Sequence, residues 1–267
     1  MKKYLKYIAV FLIASFGLSI FSVLFYKFVP VPITPLMVIK KISDGYDIKH
    51  DWVSLDEISK HMPKSVVRAE DAKFYDHFGF DFEAIKKAQE YNKKHKKKKG
   101  ASTISQQTAK NVFLYPARSY IRKGLEAYFT VLIELLWSKN RIMEVYLNVI
   151  ELGPGIYGVE AASQKFFKKP AKKLTMNEAA LLAAVLPNPI KFKVNKPSAY
   201  VLKRRSRIMG RMLQPEKPKV EDTTKDLQDF LDIKFDEEEE KEEAKAEVDS
   251  TATPSSASSV ESETKAQ

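Results

Sequence analysis

Residues 100–111 read GASTISQQTAKN, and this stretch combines a helix start with an almost wholly polar surface. Thr103 and Gln106 have the spacing of a capping box, in which each side chain accepts a hydrogen bond from the backbone N–H of the other residue. The spacing therefore predicts a helix that begins near Ser102. Its polar face has two open interpretations: an ordinary solvated helix surface, or a surface that grips a polar ligand.

The amides of this helix support the second interpretation. Gln106 and Lys110 lie four residues apart, as do Gln107 and Asn111, so each pair shares one helix face. Amides and a cation on one face suit sugar hydroxyls and phosphate oxygens. The free N–H groups at the start of the helix suit anions as well.

Helical patterns continue beyond this stretch. Apolar residues recur at helical spacing over 125–136 and 142–149, whereas the alternation typical of strands is scarce. Thr175 and Glu178 form a second capping-box pair in front of the apolar run 179–186. The sequence therefore predicts a mainly α fold.

An uncharged run of 20 residues, 7–26, lies near the N-terminus. At about 1.5 Å per residue, a helix of this length spans roughly 30 Å, the thickness of a bilayer core. Lys2, Lys3 and Lys6 precede the run, which predicts a cytoplasmic N-terminus and a domain on the other side of the membrane. The alternative is a cleaved signal peptide, whose hydrophobic region would be shorter than this run.

Changes in composition divide the chain into five segments. Three prolines between residues 30 and 35 favour an extended spacer, and the C-terminal residues are acidic and then rich in Ser, Thr and Ala, which predicts disorder. The predicted segments are a cytoplasmic N-terminus (1–6), a transmembrane helix (7–26), a proline-containing spacer with the start of the domain (27–54), the main domain (55–214) and an acidic disordered tail (215–267).

The formal net charge of +11 conceals an uneven distribution. Residues 216–267 carry 17 acidic and 7 basic side chains, so residues 1–215 carry 38 basic and 17 acidic ones, a net charge of +21. A domain this cationic predicts an anionic partner: nucleic acid, acidic lipid headgroups or a phosphorylated substrate. The lysine-rich segment 93–99 is predicted to be a mobile loop, either solvated or drawn to anionic lipids. Cysteine is absent, which excludes disulfides and thiol catalysis, and the four histidines have no metal-ligand spacing.

Glu70 and Asp71 are the first candidates for acid–base chemistry. Phe74 and Phe78 follow four residues apart and are predicted to be buried, which places both carboxylates at the polar edge of an apolar wall. A carboxylate in such a place can have a raised pKa and act as a general base. The pattern alone is weak, since surface carboxylates are much commoner.

A further carboxylate, Glu126, lies four residues after Arg122 and three after Lys123, so on a helix it pairs with both. The group is either a surface ion pair worth at most ~1 kcal/mol, or a carboxylate held among cations that bind phosphate. Segments 139–148 and 155–162 are interpreted as mainly structural, with helical apolar spacing in the first and two turn-forming glycines in the second.

Taken together and in order, five segments resemble the motifs of the peptidoglycan glycosyltransferases, glycosyltransferase family 51. Each motif alone is weak, but five in order are very specific, and the resemblance covers about residues 40–210. It is strongest to the monofunctional biosynthetic transglycosylases, the branch without a transpeptidase domain. The segments are EDAKFYDHFG (70–79), GASTISQQTAKN (100–111), RKGLE (122–126), RIMEVYLN (141–148) and GIYGVEAASQKFF (155–167).

The resemblance implies a lysozyme-like, two-lobed helical fold behind a single N-terminal transmembrane helix. It implies polymerisation of lipid II into β-1,4-linked glycan strands at the outer face of the bacterial cytoplasmic membrane, with release of undecaprenyl diphosphate. Glu70 matches the base that deprotonates the 4-hydroxyl of the acceptor sugar, and Glu126 matches the second essential carboxylate, beside the donor's diphosphate. The matching phosphate-site residues are Lys110, Arg122 and Lys123, and the matching cleft residues are Ser102, Thr103, Gln106, Gln107 and Asn111. One departure is Ala101, where many relatives have a second glycine.

The implied reaction converts an α-linked donor into a β-linked product, so it wants a base on one face of the sugar and the leaving group on the other. The leaving diphosphate is already anionic and needs cations more than a proton donor. A Mg²⁺ or Mn²⁺ ion could share that task, although no residue pattern indicates one. The expected partners are lipid II, the growing glycan strand and the membrane, with other cell-wall synthases as candidates and nucleic acid excluded.

Two other functions are weighed against this one. A lytic murein hydrolase on the same fold acts on neutral glycan and has little use for a cation cluster. A non-enzymatic membrane-binding or nucleic-acid-binding module is motivated by charge alone. A nucleic-acid role also requires a cytoplasmic domain, against the lysine bias at the N-terminus.

Overall fold

The computed structural model describes residues 2–96, 98–116 and 119–214 of the chain. The predicted acidic tail, 215–267, lies outside the described residues. Within the described part the fold is mainly α, as predicted, with ten helices. They are α1 (Lys2–Phe28), α2 (Pro35–Asp44), α3 (His61–Glu70), α4 (Phe82–Lys94), α5 (Ile104–Phe113), α6 (Tyr120–Leu136), α7 (Lys139–Val149), α8 (Val159–Phe167), α9 (Met176–Val185) and α10 (Ala199–Leu213).

The helices of the domain form two packed groups. Helix α9 is buried from Ala179 to Val185 and packs against α3 and α10, while α5 packs against α6 and α7. Both predicted capping boxes are present, with Thr103 starting α5 and Thr175 starting α9. The groups meet where the C-terminal end of α3 contacts the first turn of α5, through the Asp71 carboxylate and the backbone N–H of Ile104.

Helix α1 continues the domain rather than standing apart from it. Its Val23 is fully buried in the core, and the indole Nε1 of Trp137 donates to the Val23 carbonyl at 2.8 Å. The Arg141 guanidinium donates to the Tyr26 and Val29 carbonyls, both at 2.7 Å from Nη2. These contacts hold the C-terminal part of α1 against the N-terminal end of α7.

The predicted spacer is shorter than expected, and it belongs to the core. Helix α1 ends at Phe28 and α2 begins at Pro35, with Thr34 as its N-cap, so extended chain is confined to the residues between them. Val31 and Met37 in this region are fully buried. A pattern of prolines does not reveal that the apolar residues beside them pack on the domain.

The part of the chain that the structure describes forms three strands, β1 (Lys49–His50), β2 (Glu151–Gly153) and β3 (Ile156–Tyr157), in the order β1-β3-β2. β1 is parallel to β3 and β2 is antiparallel to it. Two glycines with positive φ, Gly155 at 70° and Gly158 at 81°, shape the tight turn predicted here. A Cβ on Gly155 would lie 2.4 Å from the Asp47 carbonyl oxygen, so the turn has no room for a side chain.

We expect Gly155→Ala to destabilise the protein by more than about 2 kcal/mol, because positive φ and a backbone clash add. Thermal unfolding of the full chain in detergent measures this. The matched control is Gly210→Ala in α10, where a Cβ meets nothing within 4 Å. Alanine in that helix should leave stability unchanged or raise it by about 0.5–1 kcal/mol. A Gly155→Ala protein that unfolds at the wild-type temperature would contradict the packing described here.

Candidate active site

Glu70 is the last residue of α3, and both oxygens of its carboxylate are held. The guanidinium Nη2 of Arg204, on α10, donates to Oε1 at 2.8 Å. The amide Nε2 of Gln107, on α5, donates to Oε2 at 3.3 Å. The Tyr146 hydroxyl, on α7, donates to Oε1 of Gln107 at 3.3 Å, which turns the amide nitrogen towards Glu70. Four helices therefore fix the orientation of this carboxylate.

Burial raises the pKa of the Glu70 carboxyl above its ordinary value, and Asp71 adds to the rise through charge repulsion. Arg204 and Gln107 oppose the rise, because each stabilises the ionised form. Burial prevails, and the side chain remains 16% exposed. A carboxylate with a raised pKa that keeps contact with solvent has the properties of a general base.

Asp71 differs from its neighbour, because it lies inside the protein rather than at the polar edge of the apolar wall. Its Oδ2 accepts from the backbone N–H of Ile104 at 2.9 Å, and its Oδ1 lies 2.9 Å from Nε2 of His77. The segment after Glu70 consists of turns rather than a helix, with Phe74 fully buried and Phe78 half-buried. Asp71 thus ties the end of α3 to the start of α5 and is not a second base in the site.

Helix α5 presents only part of its predicted polar face. Thr103 and Gln106 are both buried: the Thr103 hydroxyl donates to the Gly79 carbonyl at 2.6 Å, and Gln106 Oε1 accepts from the Thr103 backbone at 3.0 Å. Their side chains therefore maintain the helix terminus, and their predicted contact with sugars stays a prediction. Ser102 is exposed, and Asn111 is buried.

Glu126 anchors the cationic half of the site. Its side chain is 4% exposed, and its Oε2 accepts from Arg122 Nη1 at 2.6 Å. The Lys123 ammonium binds Oε1, so both pairs expected from the sequence are present. The group is no ordinary surface ion pair, because the carboxylate is buried while the Lys123 side chain is half exposed. One buried anion thereby holds two cations in place.

Lys110 joins the two halves of the site. Its ammonium group makes no hydrogen bond or ion pair with any residue that the structure describes, although the residue is half-buried. Burial lowers the pKa of its ammonium group, and the charges of Arg122 and Lys123 lower it further, while Glu126 and Glu70 act in the opposite direction. An ammonium group among other cations without its own carboxylate fits an anion supplied by a ligand.

A divalent cation held by the protein needs several carboxylate or imidazole ligands. The described residues contain no cluster of three or more His, Cys, Asp or Glu side chains that could hold a metal ion. Both oxygens of Glu126 already accept from cations. These residues do not fit a resident metal site, and no chemical step below depends on one.

Two contributors to the site were missed by the sequence reasoning. Arg204 lies in the last helix, outside all five motifs, and reaches Glu70 across 134 residues of chain. Tyr146 was interpreted as core, which its burial bears out, but its hydroxyl also orients Gln107. Only a run of basic residues in an otherwise amphipathic helix, 203–207, distinguishes Arg204 in the sequence, and that run does not select one arginine.

The sequence is similar to a known protein family over most of its length. The family model described as Transglycosylase matches residues 37–213. A protein of Bdellovibrio bacteriovorus is 58% identical over 239 residues, covering 88% of this chain and 93% of the relative. A protein of Bacteroides thetaiotaomicron is 53% identical over 234 residues, covering 85% and 94%. One of Caulobacter vibrioides is 56% identical over 201 residues, covering 75% and 87%. All three bear the name biosynthetic peptidoglycan transglycosylase.

Proposed function

Because this chain belongs to the transglycosylase family and is a peptidoglycan glycosyltransferase, we propose that it polymerises lipid II at the outer face of the cytoplasmic membrane. Lipid II is a sugar diphosphate on a lipid, so its donor form offers a diphosphate leaving group and its acceptor form a 4-hydroxyl. The proposal assigns the first to the cations around Glu126 and the second to Glu70.

One observation carries the proposal: helix α5 presents Gln107 to the Glu70 carboxylate and packs against α6, the helix of Arg122, Lys123 and Glu126. The base and the cation cluster therefore belong to one site, at its two ends. An inverting transfer needs this separation, because the nucleophile and the leaving group occupy opposite faces of the donor sugar. A hydrolase acting on neutral glycan has no comparable use for Lys110, Arg122 and Lys123.

The proposed reaction is a single displacement at the anomeric carbon of the donor sugar. Glu70 accepts the proton of the acceptor's 4-hydroxyl while that oxygen forms a bond to the anomeric carbon of the donor. The bond from that carbon to the diphosphate oxygen breaks, and the diphosphate leaves with the electron pair. Arg122, Lys123 and Lys110 stabilise the charge that develops on the leaving group. Glu126 holds two of these cations in place through its two carboxylate oxygens.

The apolar surface beside the site supports a substrate that stays in the bilayer. On α6, Ile121, Leu125 and Leu135 are exposed on a stripe that also includes Tyr128. Tyr128 contacts α1, with its hydroxyl 2.7 Å from Ser19 Oγ. Helix α1 itself is long and apolar enough to cross a membrane, with a mean hydropathy of 2.5 over its most apolar window. The cations of α6 therefore lie on the helix that α1 ties to the membrane.

The contacts of α1 also support a retained anchor. A cleaved signal peptide would take Val23 out of the core and leave the Trp137 indole without its acceptor. We expect the N-terminus to be cytoplasmic and the domain to lie outside.

Single-cysteine variants test this topology, because the wild-type chain contains no cysteine. A membrane-impermeant maleimide applied to intact spheroplasts should label Lys86→Cys, which is exposed on α4, and should label Lys3→Cys only after lysis. Labelling of Lys3→Cys but not Lys86→Cys in intact cells would place the domain in the cytoplasm and defeat the proposal.

Two substrates offered side by side test the proposed function. The purified full-length protein should convert labelled lipid II into long glycan and should release no soluble muropeptides from sacculi. The opposite pair of results would favour the lytic hydrolase.

A further inference from the structure

Arg204 is the largest charged influence on the Glu70 carboxylate that comes from outside the motifs. Three other titratable groups also bear on it: Asp71, which directly follows the end of α3, Lys110 on α5 and Tyr146 on α7. Of these groups, only Arg204 donates a hydrogen bond directly to a Glu70 oxygen within the described structure. Helix α10, which lies outside the five motifs, thus contacts the proposed base directly.

The position of Arg204 is costly for the fold. Its Nη2 also lies 3.4 Å from the Ala69 carbonyl, while its Nε is buried and has no hydrogen-bond partner among the described residues. A buried donor without a partner costs free energy. A methionine or leucine would pack along α3 without that cost, so stability alone does not account for an arginine here.

We propose that Arg204 is a positioning residue for the transfer reaction: its guanidinium orients Oε1 of Glu70 and keeps the carboxylate ionised for proton abstraction. The inference rests on the proposed function of Glu70 as the base. Gln107 holds the other oxygen, so the two donors together leave the carboxylate one orientation. Gln107 carries no charge, and Arg204 therefore supplies the electrostatic part of this arrangement.

Loss of the Arg204 charge should raise the pKa of Glu70. Burial raises the pKa of Glu70, and the arginine charge lowers it. Without the arginine the pKa rises further, so a larger fraction of Glu70 is protonated at a given pH. Because the base must be ionised, the acidic limb of the pH profile of kcat/KM should move to higher pH. An opposite charge at this distance shifts a carboxyl pKa by about one unit or more.

The experiment records initial rates of lipid II polymerisation between about pH 5 and 9. In Arg204→Met the acidic limb should move up by about one pH unit, and the plateau should fall by about tenfold because the carboxylate loses one of its two fixed donors. Arg204→Lys retains the charge and should bring the limb back towards the wild-type position. Arg207→Met, exposed on the same helix, should match the wild type.

An acidic limb that stays in place in Arg204→Met overturns the inference, as does a lysine variant whose limb moves as far as that of the methionine variant. A merely structural role would lower the plateau without moving the limb. If the methionine variant does not fold, Arg204→Gln replaces it with the same expectation, since its amide can donate but carries no charge. Failure of the proposed function is distinguishable: Glu70→Gln would then be active, whereas an inactive Glu70→Gln beside unshifted Arg204 variants contradicts only this inference.

Discussion

Glu70→Gln should lower the rate of lipid II polymerisation by about 10²–10⁴-fold, the usual effect of removing a general base. Glutamine has the shape of glutamate and can still accept from Arg204, but it cannot take a proton from the acceptor hydroxyl. Because the side chain remains the same size in a half-buried position, the fold should be preserved. Initial rates with labelled lipid II measure the loss, and circular dichroism checks the helices.

A matched variant separates this effect from a general loss of negative charge. Glu57→Gln changes an exposed carboxylate whose nearest cation, Lys172, lies 3.4 Å away. It should polymerise lipid II at the wild-type rate. A binding measurement separates loss of the base from loss of substrate affinity. Glu70→Gln should bind lipid II with near wild-type affinity, because the cations that contact the diphosphate are intact. A Glu70→Gln protein that polymerises normally shows that another group is the base.

Lys110→Met should reduce polymerisation by about 10²-fold, because one of three cations that meet the developing charge of the leaving diphosphate is removed. The same substitution should not destabilise the protein. Lys110 has no protein partner among the described residues, and burial lowers the pKa of its ammonium group. A half-buried cation without a paired carboxylate costs free energy, so the methionine variant should unfold at the wild-type temperature or above it. Such a combination marks a residue retained for function rather than for the fold.

Lys86→Met, which removes an exposed lysine of α4, is the control and should change neither property. Lipid II binding should weaken in Lys110→Met and not in Glu70→Gln, which separates the two ends of the site. If Lys110→Met loses both stability and activity, the lysine is structural, and the assignment of the diphosphate site to this cluster is wrong.

Local patterns predicted the parts of the site that depend on near neighbours in the chain. The capping box of Thr103 and Gln106 and the pairs of Glu126 with Arg122 and Lys123 involve residues three or four apart on one helix. Such contacts form wherever the helix forms, so spacing alone identifies them. The partners were therefore correct before any tertiary structure was known.

Tertiary contacts decided what local patterns could not. Arg204 reaches Glu70 from the last helix, and no periodicity relates residues so far apart. Glu70 and Asp71 are adjacent, but α3 ends between them. As a result the Asp71 carboxylate is buried against α5, whereas the Glu70 carboxylate faces the site. Likewise Val31 and Met37 made the proline segment part of the core. The lysine-rich segment begins inside α4, which extends to Lys94, so the predicted loop is shorter at that end; Lys97 lies outside the described residues.

The linkage formed by the enzyme tests the central claim most directly. If Glu70 abstracts the acceptor proton opposite a diphosphate held by Lys110, Arg122 and Lys123, each transfer inverts the anomeric centre. The full-length protein incubated with lipid II should then give a polymer that lysozyme, which cleaves β-1,4 bonds, degrades completely, and it should release one lipid diphosphate for each bond formed. A lysozyme-resistant product, or polymer formed without release of lipid diphosphate, would contradict this account.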